Sequence, residues 1–169
     1  MPFQSHHKKE SVSVVLEREL EVLLRVAKRL TLNESDAEDL VSQTLIIAFQ
    51  KWDSFDGSHA RSWLIQILRN EWLQLLRKRN VRKEIAYEEV NEPSIEGFWK
   101  AVDSQIEAKR IVEALDELGE DYRVAISLCD VEELSYEEAA KVLEIPLGTL
   151  QSRLFRGRKQ LRAVLVNMS

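Results

Sequence analysis

Residues Leu134 to Arg162 read LSYEEAAKVLEIPLGTLQSRLFRGRKQLR, and this stretch predicts two helices joined by a turn. Ser135 is followed three residues later by Glu138, a capping box that starts the first helix. Pro146 interrupts the first helical pattern, and a second pattern begins near Leu147. The spacing therefore favours a helix-turn-helix motif, which we take as the starting point for the rest of the chain.

The second of these helices has one apolar face and one cationic face. The first helix instead carries the acids Glu137 and Glu138, so charge is polarised between the two. Such polarity is expected when only the second helix approaches DNA phosphates. A pair of ordinary amphipathic helices with a solvated basic face fits this pattern equally well. The apolar positions are Leu150, Leu154, Leu161 and Leu165, and the cations are Arg153, Arg156, Arg158, Lys159 and Arg162.

The composition is that of a helical globular protein. The 169 residues are 44% hydrophobic and 31% charged, with only five Gly and three Pro to form turns. No run approaches the roughly 18 apolar residues of a membrane span, and the first ten residues lack the apolar part of a signal peptide, so we expect a cytoplasmic protein without membrane insertion. The lone Cys129 has no partner for an internal disulfide and is interpreted as a buried structural thiol. We identify no catalytic, metal or cofactor constellation and expect no enzyme.

The net charge of -5 is unusual for a DNA-binding protein, but its distribution is uneven. From His59 to Lys83 the chain carries seven cations and a single acid, Glu71. Acids gather instead in residues 34–39 and 84–103. Two basic blocks separated by acidic stretches indicate two contacts with nucleic acid and an acidic surface for a protein partner.

Three helices are predicted in the N-terminal half. The first runs from about Ser11 to Leu30, a second starts at a capping box of Ser35 and Glu38, and Ser58 caps a third that is strongly basic. Aromatic side chains around the second and third helices are expected mostly in the core, with one or two able to stack on unpaired bases. These are Phe49, Trp52, Phe55, Trp63 and Trp72.

The predicted fold class is all-α, with two small helical domains joined by an acidic linker. The first domain spans residues 11–83, the linker 84–103, and the helix-turn-helix domain 104–166. The linker is assigned from its six acids and from the absence of a sustained hydrophobic periodicity. A capping box of Ser104 and Glu107 predicts that a new helix begins after it.

Two further segments resemble those of a known family. DAEDLVSQTLIIAFQKWDSF, from Asp36, and GSHARSWLIQILRNEWLQLLRKR, from Gly57, are similar to the N-terminal domain of extracytoplasmic-function (ECF) sigma factors of bacterial RNA polymerase. The stretch from Leu134 to Arg162 resembles their second DNA-binding domain almost residue for residue. The resemblance covers about residues 12–165, and it implies a transcription initiation factor.

The resemblance implies a partner or a DNA element for each domain. The helix near Asp36 is expected to bind the clamp helices of the largest subunit of core RNA polymerase, and the C-terminal domain the flap region. The third helix is expected to hold the minus-ten element, where an unpaired base leaves the stack. An anti-sigma protein is a further implied partner. The polymerase contacts would be Glu38, Asp39, Gln43 and Thr44, and the downstream DNA contacts Arg61, Trp63, Arg69, Asn70, Arg77 and Lys78.

The helix after Gly148 is expected to lie in the major groove of the minus-thirty-five element of promoter DNA. The chain departs from the family pattern at three places: the dipeptide Ser42-Gln43, Gln74, and Gln151, where a cation is frequent. A glutamine there favours adenine, so the promoter sequence is expected to differ. The upstream DNA contacts would be Thr149, Gln151, Ser152, Arg153, Phe155, Arg156 and Arg158.

Two alternatives to a sigma factor exist. A sigma-like decoy would sequester an anti-sigma protein and would have little reason to keep cations such as Arg153, Arg156 and Arg158. A stand-alone helix-turn-helix repressor would bind duplex DNA as a symmetric dimer, and the polymerase-like segment from Asp36 to Phe55 argues against it.

Overall fold

The computed structural model describes residues 9–79 and 108–168, and these fold into seven α-helices. The predicted linker and the capping box of Ser104 and Glu107 lie outside the described residues. No helix in the described ranges has the length and apolar character needed to cross a membrane. The helices are α1 (Val12–Thr31), α2 (Glu34–Gln50), α3 (Ala60–Lys78), α4 (Ala108–Asp116), α5 (Glu120–Ile126), α6 (Tyr136–Leu143) and α7 (Leu147–Asn167).

The N-terminal domain is a three-helix unit in which α1, α2 and α3 all contact one another. Leu23, Leu64 and Leu68 are fully buried between them. A short 3-10 turn, Trp52–Ser54, follows α2 and brings aromatic rings together at the entry to α3. Phe55 and Trp63 stack there with ring centroids 4.7 Å apart. The first turn of α3 is thereby held against the end of α2.

The C-terminal domain is built around α7, which contacts α4, α5 and α6. Helix α5 continues into a π-helical turn, Ser127–Val131, before the chain reaches α6. Leu150, Leu154 and Leu161 are buried along α7, as the helical period predicted. The two helices of the opening motif are thus confirmed as α6 and α7.

The capping box of Ser135 and Glu138 is confirmed, because the Ser135 hydroxyl accepts from the Glu138 amide at 3.1 Å and the Glu138 carboxylate accepts from the Ser135 amide at 3.0 Å. The predicted box of Ser35 and Glu38 is wrong. Asn33 caps α2 instead, its side-chain oxygen accepting from the Asp36 amide at 2.9 Å. Asn caps a helix as well as Ser does, and the helix therefore begins two residues earlier than predicted.

Ser58 does not cap α3 either. Its hydroxyl donates to the Asp56 carboxylate at 2.9 Å, and His59 precedes the helix in the left-handed region with φ 52°. Among the five aromatic residues, Phe55 and Trp72 are buried, whereas Phe49 is 64% exposed. Phe49 therefore belongs to a surface of α2 and not to the core.

Candidate nucleic-acid interface

Helix α7 carries the upstream DNA contacts predicted from sequence, but Arg158 is held inside the domain. Its guanidinium donates to both carboxylate oxygens of Asp130, at 2.9 and 2.6 Å, and to the Tyr136 hydroxyl at 3.3 Å. The side chains of Arg158 and Asp130 are 10% and 6% exposed. The hydrogen bonds that Arg158 donates to Asp130 raise the pKa of the guanidinium, which stays charged. Arg158 thus joins α7 to the π-helical turn and to α6, which corrects its placement on the DNA side.

Thr149 and Ser152 are also buried, at 3% and 4% exposure, contrary to the expectation that they face bases. The Thr149 hydroxyl has no hydrogen-bond partner among the described residues. The physical reason is that α7 is packed by three helices, so its buried face is wider than a single apolar stripe. Residues beside the leucines are enclosed together with them.

The exposed face of α7 is formed by residues spaced four, eight and eleven positions after Gln151. Gln151, Lys159 and Arg162 are exposed and Phe155 is half-buried. We call these four residues the recognition face. Lys159 and Arg162 were absent from the predicted contacts, although their helical spacing from Gln151 was available in the sequence. Arg153 lies to one side, half-buried and 3.7 Å from Asp121, and Arg156 is half-buried with an interaction partner of its own.

Helix α3 divides its predicted DNA contacts between two faces. Arg61 donates to Glu19 at 2.8 Å and to the Glu132 backbone carbonyl at 3.3 Å. Arg69 donates to the Glu144 carboxylate at 3.3 Å. Glu132 and Glu144 belong to the C-terminal domain, so this first face is covered by the other half of the chain.

The other face of α3 is open. Asn70, Arg77 and Lys78 are exposed, together with Gln74 between them. We call these four residues the open stripe. Trp63 is half-buried and contacts both Trp52 and Phe55, with ring centroids 6.0 and 4.7 Å away. Phe55 stacks on one face of the Trp63 ring, so only the opposite face is left for stacking on a base.

On α2, Glu38, Asp39 and Gln43 are exposed as predicted, but Thr44 is fully buried. Its hydroxyl donates to the Leu40 carbonyl at 2.8 Å within the helix. Thr44 is therefore removed from the surface expected to bind polymerase. Ile46 and Phe49, three and six residues after Gln43, are instead 53% and 64% exposed. They were not predicted as surface contacts, because an apolar residue on a helix is normally assigned to the core from sequence alone.

The two domains meet where α3 contacts α6. Arg25 of α1 donates to both carboxylate oxygens of Glu132, at 2.7 and 2.9 Å. The Glu138 carboxylate accepts a hydrogen bond from the Ser62 hydroxyl at 3.2 Å and lies 2.7 Å from His59 Nδ1. The hydrogen bond from the Ser135 amide, followed by the contacts with His59 and Ser62, lowers the pKa of Glu138.

No group of three or more metal-binding side chains occurs in residues 9–79 or 108–168. Cys129 is half-buried on the π-helical turn, and burial raises the pKa of its thiol to about 12. The thiolate is the reactive form of cysteine, so Cys129 is inert near neutral pH.

Comparisons with known proteins define the class of this molecule. Residues 15–82 match the family model of sigma-70 region 2, and residues 108–161 match that of sigma-70, region 4. Two helical domains that match these two regions in this order define a sigma factor. The all-α fold class with two helical domains, predicted from the sequence, is thereby confirmed.

Similar proteins narrow this class further. The chain is 38% identical over 151 residues to the ECF RNA polymerase sigma factor SigE of Mycolicibacterium smegmatis, covering 86% of this chain but 58% of SigE. It is 34% identical to the ECF RNA polymerase sigma factor SigM of Bacillus subtilis, covering 76% of this chain and 78% of SigM. A solved structure of the sigma factor RpoE in complex with the anti-sigma factor NepR, from Bartonella quintana, is 32% identical with a TM-score of 0.71 and covers 91% of this chain and 96% of RpoE.

The chain therefore belongs to the ECF RNA polymerase sigma factors. Members of this family are transcription initiation factors, and the predicted identity and function are confirmed at that level.

Proposed function

We propose that this protein binds core RNA polymerase and directs it to promoters through two DNA elements, one for each domain. Residues 11–83 form the unit for the minus-ten element and residues 104–166 the unit for the minus-thirty-five element, joined by the linker 84–103. The observation that supports this division is the presence of two cationic helices, α3 and α7, in separate domains that each match a sigma-70 region.

The recognition face is the proposed reader of upstream DNA. Gln151 would contact a base edge, with an amide suited to adenine, while Lys159 and Arg162 would contact phosphates. Phe155 offers an apolar edge that suits a thymine methyl group. Arg156 and Arg153 flank this face and complete its positive charge. Thr149, Ser152 and Arg158 are buried and do not belong to this face.

The open stripe is the proposed contact with the downstream element. Arg77 and Lys78 would bind the backbone of a separated strand, and Asn70 and Gln74 would hydrogen-bond bases that have left the stack. Trp63, held by its aromatic neighbours, would limit how far the strand enters.

The exposed face of α2 is the proposed polymerase contact. Asp39 and Glu38 offer acids at the helix start, Gln43 follows one turn later, and Ile46 and Phe49 extend the surface with apolar area. A surface that combines a few charges with exposed aromatic and aliphatic groups is typical of a protein interface. The clamp helices of the largest polymerase subunit are the proposed partner. The protein would act in the cytoplasm with polymerase, without catalysis of its own, under an anti-sigma protein.

Run-off transcription with purified core polymerase tests the proposal. We expect a defined start site from the native chain and at least tenfold weaker core binding by Phe49→Ser, because removing a buried interface aromatic costs about 2 kcal/mol or more. Val14→Ser is the matched control, since Val14 is also an exposed apolar residue, at 53%, but lies on α1. A chain that neither binds core nor directs a start site, while binding an anti-sigma protein tightly, would be a decoy.

A further inference from the structure

Lys9 connects the segment before α1 to the loop between α2 and α3. We call this loop, residues 51–59, the entry loop, because it leads into the first turn of α3. The Lys9 ammonium donates a hydrogen bond to the backbone carbonyl of Trp52. It also lies 4.9 Å from the ring centroid of Trp52 and 5.3 Å from that of Phe55. One side chain thus contacts the entry loop through its backbone and through two of its aromatic rings.

A chain of ion pairs links the residue after Lys9 to the same region of the fold. Glu10 pairs with Arg18 at 2.7 Å, and Arg18 also lies 3.5 Å from Glu19. Glu19 in turn accepts a hydrogen bond from Arg61, in the first turn of α3, at 2.8 Å. The segment before α1 is therefore tied to the entry loop directly and to the start of α3 through α1.

The contacts of Lys9 restrain the turn that begins the entry loop. An ammonium near an aromatic face is attracted by the ring, and a hydrogen bond from a charged donor is roughly twice as strong as one between neutral groups. The Trp52 carbonyl also accepts from the Phe55 amide, at 3.1 Å. Lys9 therefore binds the 3-10 turn at the oxygen that closes it, between the two rings whose orientation the turn sets.

The rings that Lys9 contacts are the ones that position Trp63. Phe55 stacks on one face of Trp63 with ring centroids 4.7 Å apart, and Trp52 packs against it at a centroid distance of 6.0 Å and an interplanar angle of 67°. Trp63 lies in the first turn of α3 and is half-buried, so its other face is the surface offered to an unpaired base. The orientation of that face depends on two rings that Lys9 restrains.

We propose that Lys9 is a positioning residue for the downstream DNA site, which orients Trp63 for stacking on an unpaired base of the minus-ten element. This inference rests on the proposed function of α3 as the minus-ten reader. Lys9 precedes residues 15–82, which match sigma-70 region 2, so the site is completed by a residue outside the matched part of the domain.

The proposal makes the effect of Lys9 dependent on a base. Loosening the entry loop lowers the fraction of molecules in which Trp63 is oriented to receive a base, and the apparent affinity falls by that fraction. Arg77 and Lys78 of the open stripe lie roughly 20 Å further along α3, at about 1.5 Å per residue. Their contacts with the DNA backbone do not require an oriented Trp63. Loss of Lys9 should therefore weaken the binding of the stacked base and spare the binding of the backbone.

Lys9→Met tests the proposal in the holoenzyme, because methionine keeps an unbranched side chain but removes the ammonium. The probe is a fluorescent fork-junction DNA whose single-stranded part carries the minus-ten sequence of a promoter that the holoenzyme uses. Each base of that part is replaced in turn by an abasic site, and the position at which the native holoenzyme loses most affinity identifies the stacked base. Lys9→Met should bind the intact probe about fivefold more weakly by fluorescence anisotropy, and the probe abasic at that position as tightly as the native holoenzyme does.

Two further variants separate positioning from simple charge. Lys51→Met removes the same charge from an exposed lysine of the entry loop and should leave the affinity ratio of the two probes unchanged. Lys9→Arg should restore the native ratio, because a guanidinium also donates to a carbonyl and also binds over aromatic rings. A phosphate contact by Lys9 would instead weaken both probes by the same factor and reduce the salt dependence of binding. That result, or a native affinity ratio in Lys9→Met, would overturn the positioning role.

The native holoenzyme distinguishes failure of this inference from failure of the proposed function. If no abasic position weakens its binding, the downstream site does not receive an unpaired base, and the assignment of α3 to the minus-ten element is refuted. If such a position exists and is equally sensitive in Lys9→Met, only the role of Lys9 is refuted.

Discussion

The buried pair of Arg158 and Asp130 gives the sharpest test of how α7 works. In Arg158→Met the methionine fills part of the space of the arginine stem but leaves the Asp130 carboxylate, 6% exposed, without a cation. Breaking a buried pair in this way costs about 3–5 kcal/mol, because the remaining charge keeps its desolvation penalty. The Tyr136 hydroxyl also loses its guanidinium partner.

This loss is large relative to the domain that contains it. About 60 residues at roughly 0.05–0.15 kcal/mol each give a total stability of about 3–9 kcal/mol. At about 4–8 °C per kcal/mol, the melting temperature should fall by more than about 12 °C. Lys159→Met is the matched control, since Lys159 is the exposed neighbour on the recognition face and its loss should change the free energy of unfolding by less than about 0.5 kcal/mol.

The assay is urea and thermal unfolding followed by circular dichroism, with upstream-element binding measured on the same samples. We expect Arg158→Met to be destabilised and Lys159→Met to be stable with weaker DNA binding. The double variant Asp130→Leu with Arg158→Met should recover most of the lost stability, since both buried charges are gone. If Arg158→Met unfolds like the native chain but binds DNA poorly, Arg158 is a phosphate contact and the structural role is refuted.

Three further predictions concern packing, pH and base preference. Gly157→Ala should lower the melting temperature, because the added Cβ would lie 3.0 Å from Tyr122 Cβ and such overpacking costs about 1–3 kcal/mol, against a gain in helix propensity of about 1 kcal/mol. Gly148→Ala is the control, since a Cβ there meets nothing within 4 Å and should not lower the melting temperature. Equal melting temperatures of the two variants in calorimetry would contradict this. Because the pKa of Glu138 is lowered from 4.5 in the folded chain, its carboxylate stabilises the fold above that pH, and this stabilisation is lost as the pH falls below it. Glu138→Gln should therefore reduce the change in the free energy of unfolding, measured with urea, between about pH 6 and about pH 3. An unchanged pH dependence in the variant would exclude this stabilising role of Glu138. Gln151→Arg should change the preferred base at one upstream position in selection from random DNA, and an unchanged preference would show that Gln151 does not face the bases.

Local signals in the sequence were sufficient for most of the fold. The capping box at Ser135 and the break at Pro146 placed α6 and α7, because such signals act within one or two turns. The same kind of reasoning failed at Ser35, where Asn33 is an equally good cap two residues earlier. Helix existence was therefore more predictable than the identity of the capping residue.

The candidate site was less predictable because burial on α7 and α2 depends on packing by several helices. Thr149 and Ser152 lie beside the apolar stripe and are buried on a helix that packs against three others. Arg158 has the same charge as Lys159, and nothing in the local spacing reveals that Asp130 lies opposite. The pair of Arg25 and Glu132 joins residues 107 positions apart, a separation at which helical periodicity carries no information.

The environment of Cys129 has a practical consequence for labelling. It is the single cysteine of the chain, and a thiol with a pKa of about 12 reacts slowly with maleimides at neutral pH. A cysteine introduced at an exposed position, with an ordinary pKa near 8.5, would present a thiolate fraction greater by more than a thousandfold. Dyes or spin labels can thus be attached selectively to either domain of the otherwise native protein, without a cysteine-free background.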